Sequence, residues 1–435
     1  MLLIYVPQLS PRIRYTFKTV FKTFLKLNDF QLTSDAVDFI NHEGAKFSYA
    51  DKPLMKELFI KAHGLLTQKG IKEQKVSISE HLGETTIFPQ KNEVFPYDPF
   101  AATFYFLSRY EEYLPHLRDA HDRFPLNQSL AYQYGFHQKA IVDRWLLQLK
   151  ELLLQHFPDL KFEERKYRFQ PTYDIDNAYA YKQKGTLRTL GGIAKHIYQL
   201  EFKKLLRQFL VILNKRKDPF DTYNYQLNIQ RKYGFRPIYF FLLGDYGLND
   251  KNLSHENRHF QSLIKTIADY AEVGIHPSYA SNQKEEKIKR EINRLERIIK
   301  RDITKSRQHF LKLSFPETYR RLFEADIRED YTMGYAADAG FRAGTCTPYT
   351  FYDIDEELEY NLKIVPFQLM ESSLKYYLNL TPNQAIEKAK KIIDEVKYVK
   401  GTFVSLWHNE SLSDEDEWTA WRKVYEEMIE YALKK

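Results

Sequence analysis

The chemistry in this chain of 435 residues begins at Pro171-Thr172-Tyr173-Asp174-Ile175-Asp176-Asn177, which continues the strand-like run Lys166-Tyr167-Arg168-Phe169-Gln170. Side chains of a β-strand alternate faces, so Asp174 and Asp176 project to one side and Ile175 to the other. Two carboxylates in one small volume repel, and the pair is comfortable when a cation lies between them or one carboxyl keeps a proton. The bland alternative is a solvated strand end with two turn-forming acids. Three downstream histidines, His276, His309 and His408, favour chemistry. His276 ends the run Glu272-Val273-Gly274-Ile275, and His408 ends Phe403-Val404-Ser405-Leu406-Trp407.

Positioning these groups falls to the elements around them. From Lys166 onward the pattern alternates strands, expected over 167–173, 236–243, 272–276, 307–311, 330–334, 362–368 and 402–407, with helices over 257–270, 284–299, 316–325, 382–396 and 413–433. That alternation implies a parallel sheet, most economically closed as an irregular β/α barrel of about seven strands. The C-terminal strand ends of such a barrel form one rim, where Asp174, Asp176, His276 and His408 would meet. Upstream, short strands are expected over 2–6, 45–49, 75–79 and 85–88, and helices over 13–27, 98–113 and 136–157. Pro158-Asp159 stops the last of these, and the polar stretch after it predicts a boundary between an N-terminal mixed α/β domain, 1–165, and the barrel, 166–435.

Composition narrows the class. At 43% hydrophobic and 28% charged residues, the chain is globular rather than disordered. Its 32 Tyr, 31 Phe and 4 Trp are mainly core material, though aromatic faces also suit a sugar ligand. The net charge of +7 is concentrated in basic runs at 203–217 and 284–307, which could attract phosphate or anionic lipid. Solvated helix faces are the competing account, because Glu285, Glu286, Glu291 and Glu296 interleave the second run. There is no DNA- or RNA-binding fingerprint, so no nucleic acid partner is expected. Cys346 is the only cysteine, which excludes an intrachain disulfide and a cysteine-rich zinc site. No secretory leader pattern or apolar run of bilayer length is evident, so a cytoplasmic address without a transmembrane segment is expected.

Taken in order, Thr172-Tyr173-Asp174-Ile175-Asp176, Gly274-Ile275-His276-Pro277-Ser278, an arginine-bearing strand and Leu406-Trp407-His408 resemble the motifs of the NodB-homology polysaccharide deacetylases, the family 4 carbohydrate esterases. The resemblance covers about residues 166–435 and is similar to a bacterial subgroup with an extra N-terminal domain of unknown function. It implies Asp174 as catalytic base, Asp176 and His276 as metal ligands, and His408 as general acid. Ser278 is expected as a supporting hydroxyl, Tyr173 beside the substrate, and Trp407 as a wall of the acetyl pocket. Arg307, or alternatively Arg342 in Gly340-Phe341-Arg342-Ala343-Gly344, resembles the arginine that orients the catalytic aspartate. Arg342 has a second possible role, anchoring a substrate carboxylate or phosphate. The family usually carries another histidine four residues after the first, where this chain has Ala280. Catalytic zinc normally keeps three protein ligands and one open position, so His309 is expected to fill the gap, sharing a strand face with Arg307.

The expected activity is metal-dependent removal of an acetyl group from an N-acetylated amino sugar or polysaccharide. Zinc is the expected ion, with cobalt, nickel or manganese as alternatives. A non-catalytic carbohydrate-binding or scaffold protein on a degenerate barrel is the other reading, motivated by the missing second histidine. The sequence leaves the oligomeric state and the role of 1–165 open.

Overall fold

The structure, a computed structural model, describes residues 1–91, 93–282 and 284–434. In the N-terminal region, strands β1 (Leu2–Tyr5), β2 (Phe30–Thr33), β3 (Lys46–Ala50) and β4 (Leu58–Lys61) form a parallel sheet in the order β2-β1-β3-β4. Helix Pro11–Lys18 starts where the Ser10 hydroxyl accepts the Ile13 N–H and proline occupies the first turn. It then loosens into a π-helical stretch, Thr19–Phe24, so the helix expected over 13–27 has two geometries. Strands β5 (Ile78–His81) and β6 (Glu84–Ile87) form an antiparallel hairpin. Leu82 (φ 50°) and Gly83 (φ 76°) make its two-residue turn, which sets the register and moves the first strand later than expected. The aromatic helix Pro99–Leu107 is capped by Asp98 and ends where Arg109 adopts φ 54°, leaving Tyr110–Tyr113 as a separate turn.

The larger sheet holds β7 (Arg168–Ile175), β8 (Ile238–Phe241), β9 (Glu272–Ile275), β10 (Lys305–Ser306), β11 (Glu329–Asp330), β12 (Tyr349–Asp353), β13 (Leu358–Ile364), β14 (Leu369–Met370) and β15 (Thr402–His408). Its order is β12-β13-β11-β10-β9-β8-β7-β15-β14, parallel throughout except for β12 against β13. One segment serves both flanks. Ile364 pairs with Asp330 of β11, Phe367 N–H donates to Met333 C=O at 3.0 Å, and Leu369 pairs with Ser405 of β15.

Two expected strands are misplaced: 307–311 holds no strand residue, since β10 ends at Ser306 and Arg307 and His309 follow it rather than sharing a strand face, and of 330–334 only Asp330 lies in β11. After Ser306 the Gln308 N–H donates to the Thr332 hydroxyl instead of a ladder carbonyl, and Phe310 (φ 59°) and Leu311 (φ 54°) turn the chain away. Beyond Asp330, the Thr332 N–H and hydroxyl are taken by the Asp330 carboxylate, which ends β11. The helix expected over 413–433 begins only at Trp421, after two 3₁₀ turns and Ala420 at φ 69°.

Strand alternation splits the core. Outward residues Tyr173, Ile175, Tyr239, Phe241, Phe403 and Trp407 join a large hydrophobic cluster that continues into the N-terminal region. Inward residues Ile238, Phe240, Val404 and Leu406 form a second, smaller cluster with Tyr331, Val365 and Phe367. Thr172 and Asp174 share the parity of this inner face. The two regions are also tied by buried polar contacts. Asp143 accepts from the hydroxyls of Thr345 and Thr347, each at 2.6 Å, and Glu112 accepts from Arg342 at 2.6 Å.

Candidate active site

Register brings the key groups level with one another. Asp174 on β7 is the Cα partner of His408 on β15, and Ile175, Phe241 and Ile275 lie side by side on β7, β8 and β9. Asp176 and His276 are each one residue past those strand ends, so they meet at the same edge. His276 Nε2 lies 3.2 Å from Asp176 Oδ1 and 3.8 Å from Asp174 Oδ2. His309 Nε2 lies 3.5 Å from Asp176 Oδ2. One donor atom from each of Asp176, His276 and His309 falls within 4.8 Å of the others.

The hydrogen bonds behind the two imidazoles fix their tautomers. His276 Nδ1 is 2.6 Å from the Arg307 carbonyl, which only accepts, so Nδ1 carries the hydrogen and Nε2 presents its lone pair forward. His309 Nδ1 is 2.9 Å from Asp250 Oδ1, so Nδ1 carries a hydrogen and Nε2 faces forward, where a metal would displace its proton. Asp176 Oδ1 is buried and lacks a hydrogen-bond donor. Two forward-facing imidazole nitrogens and an unsatisfied carboxylate oxygen fit a divalent ion with an open position. The charges agree. Burial pushes the Asp176 carboxyl up, but His309 and then His276 and His408 outweigh it and hold it well below the usual range. Burial opposes a charge on His309, yet Asp176 and Asp250 raise it to about 9.

Two further groups flank this triad. Arg307 is fully buried with its guanidinium 4.7 Å from the Phe240 ring centroid, and donates from Nη1 to Asp174 Oδ1 at 2.9 Å and to the Thr172 hydroxyl at 2.7 Å. Its Nε donates to the Tyr331 carbonyl at 2.9 Å, so the side chain is held from both ends. His408 Nδ1 is 2.7 Å from Glu371 Oε1, which also accepts the His408 backbone N–H, and Nε2 is 3.8 Å from Asp176 Oδ2. Burial opposes charge on this imidazole, but Glu371, followed by Asp176 and Asp174, holds its pKa well above the ordinary value. All five groups other than Arg307 open onto a cleft of about 350 Å³, bounded also by Phe310, Tyr376, Tyr377 and Glu410. Arg123, from the N-terminal region, completes its wall and donates to the Phe310 carbonyl at 2.8 Å.

Asp174, Asp176, His276, His309, His408 and Arg307 thus come together, while four other expected residues do not. Arg342 is bound bidentately by Glu112 and donates to the Gly334 carbonyl, so its guanidinium neither orients Asp174 nor remains available to a substrate anion. Ser278 donates to Glu291 at 2.6 Å, and the supporting bond to His276 comes from the Arg307 carbonyl instead. Tyr173 and Trp407 have the wrong parity. Both are fully buried on the outer face, Tyr173 hydrogen-bonded to Tyr425 and Trp407 packed against Tyr425 and Trp421. The cleft wall at that level is Leu406.

Sequence reasoning missed Asp250, Glu371, Thr172 and Glu410. Thr172 was readable from the parity of 172, 174 and 176. Glu371 follows the two-residue β14, too short to give a periodic signal. Asp250 sits in a loop and is placed only by its tertiary contacts, accepting the Tyr279 and Ala280 N–H groups as well as His309.

Comparison with known proteins adds the following. A family model described as a family of unknown function (DUF7033) matches residues 2–158. No curated protein matches the chain. Solved structures similar to it include a candidate polysaccharide deacetylase from Mycobacterium smegmatis, 14% identical over 61% of this chain and 85% of that one, TM-score 0.40. A polysaccharide deacetylase from Bacillus cereus is 12% identical over 62% of this chain and 86% of that one, TM-score 0.29. A mutant CE4 family pseudoenzyme with restored enzymatic activity is 12% identical over 60% and 63%, TM-score 0.27.

Proposed function

We propose that the cleft hydrolyses the amide of an N-acetylated amino sugar, free or within a polysaccharide, with a divalent ion, zinc first among the candidates, held by Asp176, His276 and His309. The observation that carries this reading is the convergence of those three donor atoms within 4.8 Å, with both imidazole Nδ1 atoms already committed behind them. The ordered sequence motifs supply the substrate class. The segment 358–370, paired on both flanks, is read as the closing stave of an irregular barrel, with residues 1–165 as an accessory unit packed against it.

When bound, such an ion polarises a substrate carbonyl and acidifies water in the cleft. The remaining steps belong to side chains. Asp174, with Oδ1 held by Arg307, offers Oδ2 as acceptor for the proton of the attacking water. His408, kept protonated by Glu371, donates to the departing amine nitrogen. Arg307 fixes the Asp174 carboxylate through a charge-assisted bond in a water-poor setting.

The test pairs metal analysis of the purified chain with acetate release from N-acetylglucosamine oligomers and sugar nucleotides. One equivalent of metal with acetate release is expected. A metal-loaded chain that releases no acetate from the whole panel would overturn the reading.

A further inference from the structure

Between β7, which delivers Asp174 and Asp176, and the helix Tyr223–Tyr233, the chain inserts a helical hairpin, Gly185–Tyr198 and Phe202–Ile212. Its amphipathicity is inverted relative to a helix packed on a core. On the first helix, Leu187, Leu190, Ala194, Ile197 and Tyr198 recur at helical spacing and all face solvent, Leu187 at 86% and Tyr198 at 88% exposure. On the second, Phe202, Leu206, Phe209 and Leu213 do the same. Val211 is the apolar side chain buried beneath the second helix, beside Gln208, which is buried and donates to the Thr189 carbonyl at 3.2 Å, and Gly192 lets Gln208 approach. On both helices the apolar row lies opposite the side that lines a polar hollow with Arg188, Lys195, Lys204 and Arg207.

Charge identifies what could cover this face. Residues 182–217 contain ten Lys and Arg against a single acid, Glu201, which exceeds the net +7 of the whole chain, so the remainder is slightly acidic. Arg207 and Arg216 pair with Glu415 or Asp416, Lys204 with Glu201, and Lys217 lies 3.8 Å from Asp221. Lys182, Lys184, Lys195, Lys203 and Lys215 have no carboxylate partner among the described residues. Two copies of this chain meeting here would bring two such basic segments together, and a nucleic acid would leave the Leu and Phe rows in water. An apolar row bordered by lysines matches a bilayer of anionic lipids, where the side chains enter the acyl boundary and the lysines reach the headgroups.

We propose that the hairpin 185–213 is a peripheral membrane anchor that docks its apolar face into an anionic lipid surface. No helix among the described residues is long and apolar enough to cross a membrane, so the contact is interfacial. Glu410 lines both the hollow beneath the hairpin and the candidate cleft, so the cleft adjoins the hairpin on the side facing away from its apolar rows. Arg188 extends the contact by bonding the Lys251 and Asn252 carbonyls and lying 4.3 Å over Tyr246, fastening to the hairpin a loop that exposes Leu248.

Flotation of the full chain with vesicles tests this directly and does not depend on any catalytic activity. Recovery is expected with phosphatidylcholine vesicles containing about one-third phosphatidylglycerol, falling about tenfold with phosphatidylcholine alone or in about 1 M salt. Leu190→Ser with Phe202→Ser and Leu206→Ser should lose about tenfold of that binding, and Lys195→Glu with Lys203→Glu a similar amount. These positions are exposed, so the variants should melt with the parent. Hydrogen exchange over 185–213 in the unaltered chain should slow when anionic vesicles are added. Equal recovery with neutral vesicles, unimpaired binding by the serine variant, unchanged exchange, or a solution dimer that the serine variant dissolves would each overturn the proposal.

Discussion

At the scale of single residues, the proposed metal site turns on His309, because position 280, where the resembled motif carries a second histidine, is alanine. If Asp176, His276 and His309 hold the ion, His309→Ala should abolish stoichiometric metal, measured by mass spectrometry after dialysis. Asp250→Ala should weaken affinity about 10- to 100-fold by releasing the imidazole behind the ligand. By contrast, Asp174→Asn should retain the metal and lose about 10²- to 10⁴-fold in turnover. Metal binding must also displace a proton. Metal-free His309 keeps its proton up to about pH 9, so apparent affinity should rise about tenfold per pH unit through neutrality and flatten above that point. A titration with no pH dependence between neutrality and that plateau would remove His309 from the ligand set. Asp174, Asp176, His276 and His408 were legible because a strand's parity and its end can be read from an apolar run. Arg342 misled because a buried guanidinium in a glycine-flanked loop looks the same in sequence whether its partner is a catalytic acid or, as here, Glu112.

At the scale of elements, the strands that give the site its level edge depend on close backbone approach. A Cβ on Gly274 of β9 would lie 2.6 Å from the Phe240 ring and 2.8 Å from the Lys305 carbonyl, and that carbonyl belongs to β10. Gly274→Ala should therefore destabilise by about 1–3 kcal/mol in denaturant titration, and shift His276 two residues on. Long strands with period-two alternation, such as β7 and β15, were readable. The two-residue β10 and β11 gave no such signal: the strand expected over 307–311 falls after β10, where Phe310 and Leu311 sit in the left-handed region, and the alternation of Asp330-Tyr331-Thr332-Met333 runs past the end of β11. Of the hairpin 185–213, the sequence showed the second helix as the basic helical run 203–217, but its apolar spacing resembles that of an ordinary core helix. Only exposure shows that the apolar face looks outward.

At the scale of the molecule, the N-terminal and C-terminal regions share one hydrophobic cluster and several ion pairs, Arg342 with Glu112, Arg12 with Glu357 and Arg144 with Glu395. Glu112→Ala would leave Arg342 buried without its carboxylate and should cost about 3–5 kcal/mol, seen as a lowered melting temperature of the full chain. A fragment of residues 166–435 would expose the face of Tyr352 on which Tyr15 and Phe104 pack, and it should fail to give a cooperative melt. A boundary near 161–166 was expected from polar composition, but the shared core could not be read, because contacts such as Asp143 with Thr345 join residues far apart in sequence. One wall of the cleft carries a further implication. Arg123 reaches from the N-terminal region to the Phe310 carbonyl and the Tyr377 hydroxyl at the cleft mouth. A chimera that grafts another front half onto this back half would leave that doorway missing a post, so the two halves should work only as a matched pair and not as interchangeable cassettes.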